Sequence, residues 1–191
     1  MGWRTRSAAD RSASGRLPPQ GLPEFSPRLY RGFIAYLRSY FARNFTGVRT
    51  SGSLSEDAAW TDSRPLIFYA NHPSWWDPIH FGLLASYLLP ERRVYGPMDA
   101  DMLEKYRIFK KLGVFGVDRS RRGAASFLSA SQAVLAEPAT SLWMTVEGSF
   151  ADPRQRPLEI LPGLAHLASR LSDGWVVPLA LEYPFWNERQ P

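Results

Sequence analysis

Asn71-His72-Pro73-Ser74-Trp75-Trp76-Asp77 sets a histidine and a carboxylate five positions apart, just after the apolar run Leu66-Ile67-Phe68-Tyr69-Ala70. An imidazole can take a proton near neutral pH, and a carboxylate can orient it and stabilise its charged form. Such a pair suits the conversion of a hydroxyl group into a nucleophile. The two tryptophans between them point to a site that lies against an apolar surface.

The pair does not fit within one helix, where residues five apart diverge by about 140°. Pro73 disfavours helix at His72. Asp77-Pro78 reads as a helix N-cap followed by a first-turn proline. His72 is therefore expected to leave a strand and Asp77 to open the next helix. The short loop between them would join the two side chains at the carboxyl edge of a sheet, where α/β proteins place ligands. Taken alone the pair is a weak signal, since Asp77 also reads as a plain cap and His72 as a plain loop residue.

The flanking pattern supplies the sheet. Strands are expected near Val48–Leu54, Leu66–Ala70, Arg93–Gly96, Val114–Val117, Ser141–Thr145 and Trp175–Leu181, with helices near Pro78–Leu89, Asp101–Lys110, Gly123–Ala136 and Gly163–Leu171. Short β-rich runs alternating with helical runs indicate an α/β sheet covered by helices. Upstream, Pro27 to Asn44 reads as an amphipathic helix capped by Ser26. Leu29, Tyr30, Phe33, Ile34, Tyr36, Leu37, Tyr40 and Phe41 share one broad face, and Arg28, Arg31, Arg38 and Arg43 the other. Two readings fit this helix: packing on the domain core, or lying in a membrane interface with arginines on lipid phosphates.

A chain of 191 residues fits one domain. The absence of cysteine excludes disulfides, thiolate metal sites and a cysteine nucleophile, and fits a reducing compartment. No apolar stretch approaches the roughly 18–20 residues of a membrane-spanning helix. The segment Met1 to Gln20 lacks the apolar run of a signal peptide. The net charge of +5 is uneven. Residues 1–50 hold nine arginines against Asp10 and Glu24, whereas the remainder holds fourteen basic and sixteen acidic residues. An anionic partner is expected at the N-terminal quarter. A lipid surface fits better than nucleic acid, because the other face of the basic helix is aromatic and apolar.

Three later segments strengthen the pair. Gly113-Val114-Phe115-Gly116-Val117-Asp118-Arg119 is a strand ending in a turn whose arginine can grip a phosphate. Thr145-Val146-Glu147-Gly148-Ser149-Phe150 is a strand ending in an acidic residue and a glycine, and Val176-Val177-Pro178-Leu179-Ala180 is an apolar strand containing a proline. In this order and at this spacing the four segments resemble the four blocks of the glycerolipid acyltransferases, whose type member is the 1-acylglycerol-3-phosphate acyltransferase. The resemblance covers roughly residues 65–182, and its most specific part is Asn-His-x-x-x-x-Asp.

The resemblance implies an α/β fold, a mixed sheet flanked by helices and preceded by the amphipathic helix. It implies His72 as general base and Asp77 as its orienter. A substrate hydroxyl would attack the thioester of acyl-CoA or acyl-ACP directly, without an acyl-enzyme. Arg119 would bind the acceptor's phosphate, and Glu147 and Gly148 would shape the acceptor site. No cofactor and no metal is implied beyond the thioester cosubstrate. The partners would be a lysolipid acceptor, acyl-CoA or acyl carrier protein, and the cytoplasmic face of a membrane, held peripherally.

The third block departs from the family's usual Pro-Glu-Gly-Thr-Arg, since Val146 precedes Glu147 and Phe150 stands where the arginine is usual. Arg154 and Arg156 are candidates to replace that cation. The departure keeps two alternatives open: an acyltransferase or thioesterase with a non-phosphate acceptor, or a catalytically weakened membrane-binding relative. Three divisions are expected: a disordered basic segment 1–25, the amphipathic helix 26–46, and an acyltransferase domain 47–191. That domain ends sooner after the fourth block than is usual in the family.

Other residues carry weaker signals. His80, one turn after Asp77, suits packing better than metal binding. His166 in its apolar helical run reads as a satisfied structural histidine. Lys105, Arg107, Lys110 and Lys111 read as a solvated face or as contacts to headgroups or CoA phosphates. Trp75 and Trp76 suit either the core or the acyl entrance. Glu147-Gly148-Ser149 is not an esterase elbow.

Overall fold

The computed structural model describes residues 21–51 and 62–184. Helix α1 spans Pro27–Asn44, with Ser26 at the N-cap accepting from the Leu29 N–H at 3.4 Å, as the sequence predicts. Five strands follow: β1 (Leu66–Ala70), β2 (Arg93–Asp99), β3 (Val114–Val117), β4 (Thr140–Thr145) and β5 (Trp175–Leu179). Between them lie α2 (Asp77–Leu88), α3 (Ala100–Lys105), a 3-10 turn (Arg107–Lys111), α4 (Arg121–Leu135) and α5 (Gly163–Ala168).

The sheet order is β3-β2-β4-β1-β5. Among the described residues every strand pairing is parallel, where the sequence reading expected a mixed sheet. The cause is the connections: each contains a helix that returns the chain to the same edge, as parallel pairing requires. Among the described residues the isolated antiparallel bridge is Phe25 with Leu112. That bridge, with bonds from Ser26 N to Lys111 O and from Gly113 N to Glu24 O, pins the chain just ahead of α1. Residues 1–20 of the expected basic segment lie outside the described residues.

Strand alternation divides the core into two layers. Leu66, Phe68 and Ala70 of β1 pack with Trp143 and with Phe81 and Ala85 of α2. Ile67 faces the other side, with Leu142 and Met144, against Phe127, Ala130 and Val134 of α4 and Leu167 of α5. The middle strands are buried on both faces, as covered parallel strands are. Helix α1 lies outside α2 as a further layer. It buries Ile34, Leu37 and Phe41, and the Tyr30 hydroxyl donates to Gly82 O at 3.1 Å.

Most boundaries shift by one to three residues, and three departures from expectation stand out. Residues 48–51 of the expected first strand are exposed and outside the sheet, and 52–54 lie outside the described residues. Strand β2 runs on to Asp99 because it changes partner at Gly96, from β4 to β3. A Cβ at Gly96 would stand 2.8 Å from the Trp143 carbonyl oxygen, so only glycine fits that crossing. The expected helix Asp101–Lys110 breaks at Tyr106 into α3 and the 3-10 turn.

Chain connections leave β1 and β4 toward opposite faces of the sheet: α2 follows β1 on one side and α5 follows β4 on the other. The neighbouring carboxyl ends of these two strands therefore form the kind of switch point at which α/β folds place ligands.

Candidate active site

His72 stands two residues beyond β1, and Asp77 is the first residue of α2. Asp77 does not cap the helix as expected. Trp76 holds the cap position without a side-chain bond, and the Asp77 carboxylate turns inward instead. Its side chain is 0% exposed. Oδ2 meets His72 Nδ1 at 2.7 Å and accepts from the Ser74 N–H at 3.3 Å. Oδ1 accepts from the Tyr183 hydroxyl at 2.8 Å. A carboxylate in this position requires a proton on His72 Nδ1, which leaves Nε2 as the basic nitrogen. The His72 side chain is 19% exposed, so the ring has a side open to a substrate.

The end of β4 holds the backbone of His72. Register pairs Ala70 with Thr145, and Val146 N donates to Ala70 O at 3.0 Å, so Glu147 lies beside His72. Glu147 Oε2 accepts from the His72 N–H at 2.5 Å. Ala151 N donates to the His72 carbonyl at 3.0 Å. Between them the chain turns at Gly148, whose φ of +69° lies in the left-handed region that favours glycine. The Phe150 ring lies on the His72 imidazole, with centroids 4.4 Å apart.

Two further polar residues complete the site: Asn71, which the sequence marks only as part of the Asn-His-x-x-x-x-Asp motif, and Tyr183, which no local signal marks. Asn71 clamps the C-terminal arm: its Nδ2 donates to Leu181 O at 2.9 Å and its Oδ1 accepts from Leu181 N at 2.7 Å. That clamp sets Tyr183 beside Asp77. The Tyr183 hydroxyl also lies 3.0 Å from His80 Nδ1, which lies 3.1 Å from Trp76 O. A proton on His80 Nδ1 satisfies both contacts. Burial, followed by the negative charge of Asp77, pushes the Tyr183 phenol far above its ordinary range. Burial pulls His80 below its ordinary value, against the opposing pull of Trp76 O and Asp77. Both groups are therefore neutral hydrogen-bonding parts. The C-terminal end of α1 closes the cluster from behind, with Phe41 edge-on to His80 and Phe45 edge-on to Trp76.

The expected cations are elsewhere. Arg119 is exposed at the end of β3, and three strand spacings separate β3 from β1, about 14 Å. Arg154 pairs with Glu182 at 3.3 Å, and Arg156 donates to the carbonyls of Pro153 and Gln155 in its own loop. Arg107 and Lys110 pair with Glu104, and Lys105 lies over the Tyr106 ring. The two tryptophans separate: Trp76 packs under α1, while Trp75 is exposed near Tyr106. His80 packs as expected. His166 is exposed on α5 rather than buried, because the face of that short helix turned to the core carries Leu167. Among the described residues no group of side chains could hold a metal ion.

The model of the family described as Acyltransferase matches residues 48–182, most of the chain. The chain belongs to the acyltransferase family. No curated protein matches it. The matched span of this acyltransferase runs from the segment ahead of β1 to the arm that Asn71 clamps, so it contains His72, Asp77, Arg119 and Glu147. Tyr183 lies one residue beyond it.

Removing the Tyr183 hydroxyl leaves one oxygen of a buried carboxylate without its donor. Tyr183→Phe is expected to lower unfolding stability by about 1–3 kcal/mol in urea titration. His80 gives a pH dependence of opposite origin to that of a paired carboxylate. Its folded pKa is depressed, so the unfolded chain binds the proton more readily below the ordinary value of 6.5. Stability is full above that value and falls as the pH drops below it. The thermal midpoint is expected to fall between about pH 7.5 and about pH 5.5, and less steeply in His80→Gln.

Proposed function

We propose that this acyltransferase moves a fatty acyl group from acyl-CoA or acyl-ACP to a hydroxyl of a lysophospholipid or related lipid, with His72 as general base. The observation that carries the reading is the His72 Nδ1 to Asp77 Oδ2 contact of 2.7 Å, made by a fully buried carboxylate just beyond the end of β1.

The acceptor hydroxyl gives its proton to Nε2 as its oxygen attacks the thioester carbonyl carbon. Asp77 keeps the imidazole in the tautomer that leaves Nε2 basic and stabilises the imidazolium that forms. Collapse of the adduct breaks the C–S bond, and the departing thiolate recovers the proton from Nε2. The nucleophile belongs to the substrate, so the protein needs no nucleophile of its own. Glu147 and Ala151 contribute by holding the His72 backbone. Gly148 permits the turn that lets them do so. Arg119 serves a phosphate remote from the reacting hydroxyl, such as one of the donor's. No cofactor beyond the thioester is required.

The proposed setting is the cytoplasmic face of a membrane, peripherally. Among the described residues no helix is long and apolar enough to cross one. Helix α1 spends most of its apolar face on the domain, with Tyr36 the exception at 60% exposure. Its arginines at positions 28, 31, 38 and 43 remain exposed. Contact with lipid would therefore be chiefly electrostatic, at about 1 kcal/mol per basic residue near an anionic surface.

His72→Ala is expected to lower thiol release from acyl-CoA in the presence of a lipid acceptor by about 10²–10⁴-fold. Activity that survives this substitution removes His72 as the base. The protein is expected to co-sediment with anionic vesicles in a salt-sensitive manner, and the four α1 arginines changed to Gln are expected to weaken that binding. Equal binding to neutral vesicles would overturn the electrostatic reading.

A further inference from the structure

Resting on the acyl-transfer reading above and narrowing its acceptor from a lysophospholipid to a related lipid, we infer that the acceptor is a neutral lipid alcohol with no phosphate beside its reacting hydroxyl, and that Phe150 selects it.

The geometry around His72 is restrictive. Nδ1 is committed to Asp77, so a reacting hydroxyl must approach Nε2 within about 3 Å. The Phe150 centroid is 4.4 Å from the imidazole centroid, and Phe150 is 56% exposed. On this inference the carbon atoms next to that hydroxyl run along the Phe150 ring. Leu158, Ile160 and Leu161 of the same loop are also exposed. Leu161 belongs to the same wall, because a Cβ at Gly148 would stand 2.5 Å from its Cδ1. Trp75, 48% exposed and close to Tyr106, lies in the loop between His72 and Asp77.

Charge argues in the same direction. A phosphate one or two carbons from the hydroxyl would meet this hydrocarbon wall and would lose water there. The face of an aromatic ring is itself negative and repels an anion. The arginines of this loop are directed elsewhere, Arg154 to Glu182 and Arg156 to neighbouring carbonyls. Arg119 stands three strands away. An alkyl or glyceryl carbon in the same place gains contact with Phe150 and Leu161 at no electrostatic cost.

The reaction balances without any further reagent. The alcohol oxygen bonds to the thioester carbonyl carbon, the C–S bond breaks, and the proton passes from alcohol to Nε2 to thiolate. The products are a neutral ester and free CoA.

The test compares acceptors that carry a hydrocarbon chain of the same length. Purified full-length protein is given palmitoyl-CoA with monopalmitoylglycerol, hexadecanol or palmitoyl lysophosphatidate in detergent micelles. Thiol release and ester product are both measured. The expected kcat/KM for the better neutral alcohol is at least about ten-fold above that for lysophosphatidate, the scale of about 1.4 kcal/mol. Phe150→Arg is expected to shift that ratio toward lysophosphatidate by about ten-fold or more, and Phe150→Leu to retain the neutral preference. Ester formed faster from lysophosphatidate by the wild type overturns this inference alone, as does a ratio that Phe150→Arg leaves unchanged. Thiol release without ester from any acceptor, or no thiol release at all, overturns the acyl-transfer reading and this inference with it.

Discussion

The Asp77 carboxylate is the constraint on which the site depends. A charge with no exposure must be bonded on both oxygens or its burial costs several kcal/mol. Its partners come from separate parts of the chain: His72 beyond β1, Ser74 in the loop, and Tyr183 on the arm beyond β5. Meeting that requirement draws the strand end, the start of α2 and the C-terminal arm to one point. The start of α2 adds the favourable end of a helix dipole. The same network that satisfies Asp77 thus fixes the tautomer and orientation of His72.

The sheet supplies the second constraint. Parallel register brings the ends of β1 and β4 level, and this lets Glu147 reach the His72 N–H and Ala151 reach the His72 carbonyl. Asn71 repeats the pattern on the other side of β1, where its amide continues the pairing toward β5 after the strands have ended. The His72 region is held from both neighbouring strands. The imidazole ring, by contrast, is partly exposed, and Phe150 packs against it. Polar partners thus hold Nδ1 and the His72 backbone, while a hydrocarbon ring meets the imidazole. Helix α1 completes the underside by packing Phe41 and Phe45 on His80 and Trp76.

Much of this was legible in the sequence by itself. Helix α1 was bounded to the residue because Ser26, Pro27 and a 3.6-residue apolar stripe are local signals. The strands after residue 65 were found within three residues at each end, since β-branched and aromatic runs between turns are also local. The His72–Asp77 pair was legible because proline and strand–helix punctuation within one short loop fix where the two side chains start. The four ordered segments gave the family. Tertiary structure decided what depends on distant chain segments meeting. Tyr183 is 106 positions from Asp77, and no periodicity marks such a contact. That Asp77 would leave the cap position to Trp76 and be wholly buried was not marked, because a capping carboxylate and a buried one look alike in sequence. The sheet became wholly parallel, and Arg119 was set three strands from His72, through the order in which crossovers laid the strands down. Spacing along a chain encodes local geometry well, but the order of strands in a sheet is settled by which faces can be buried together.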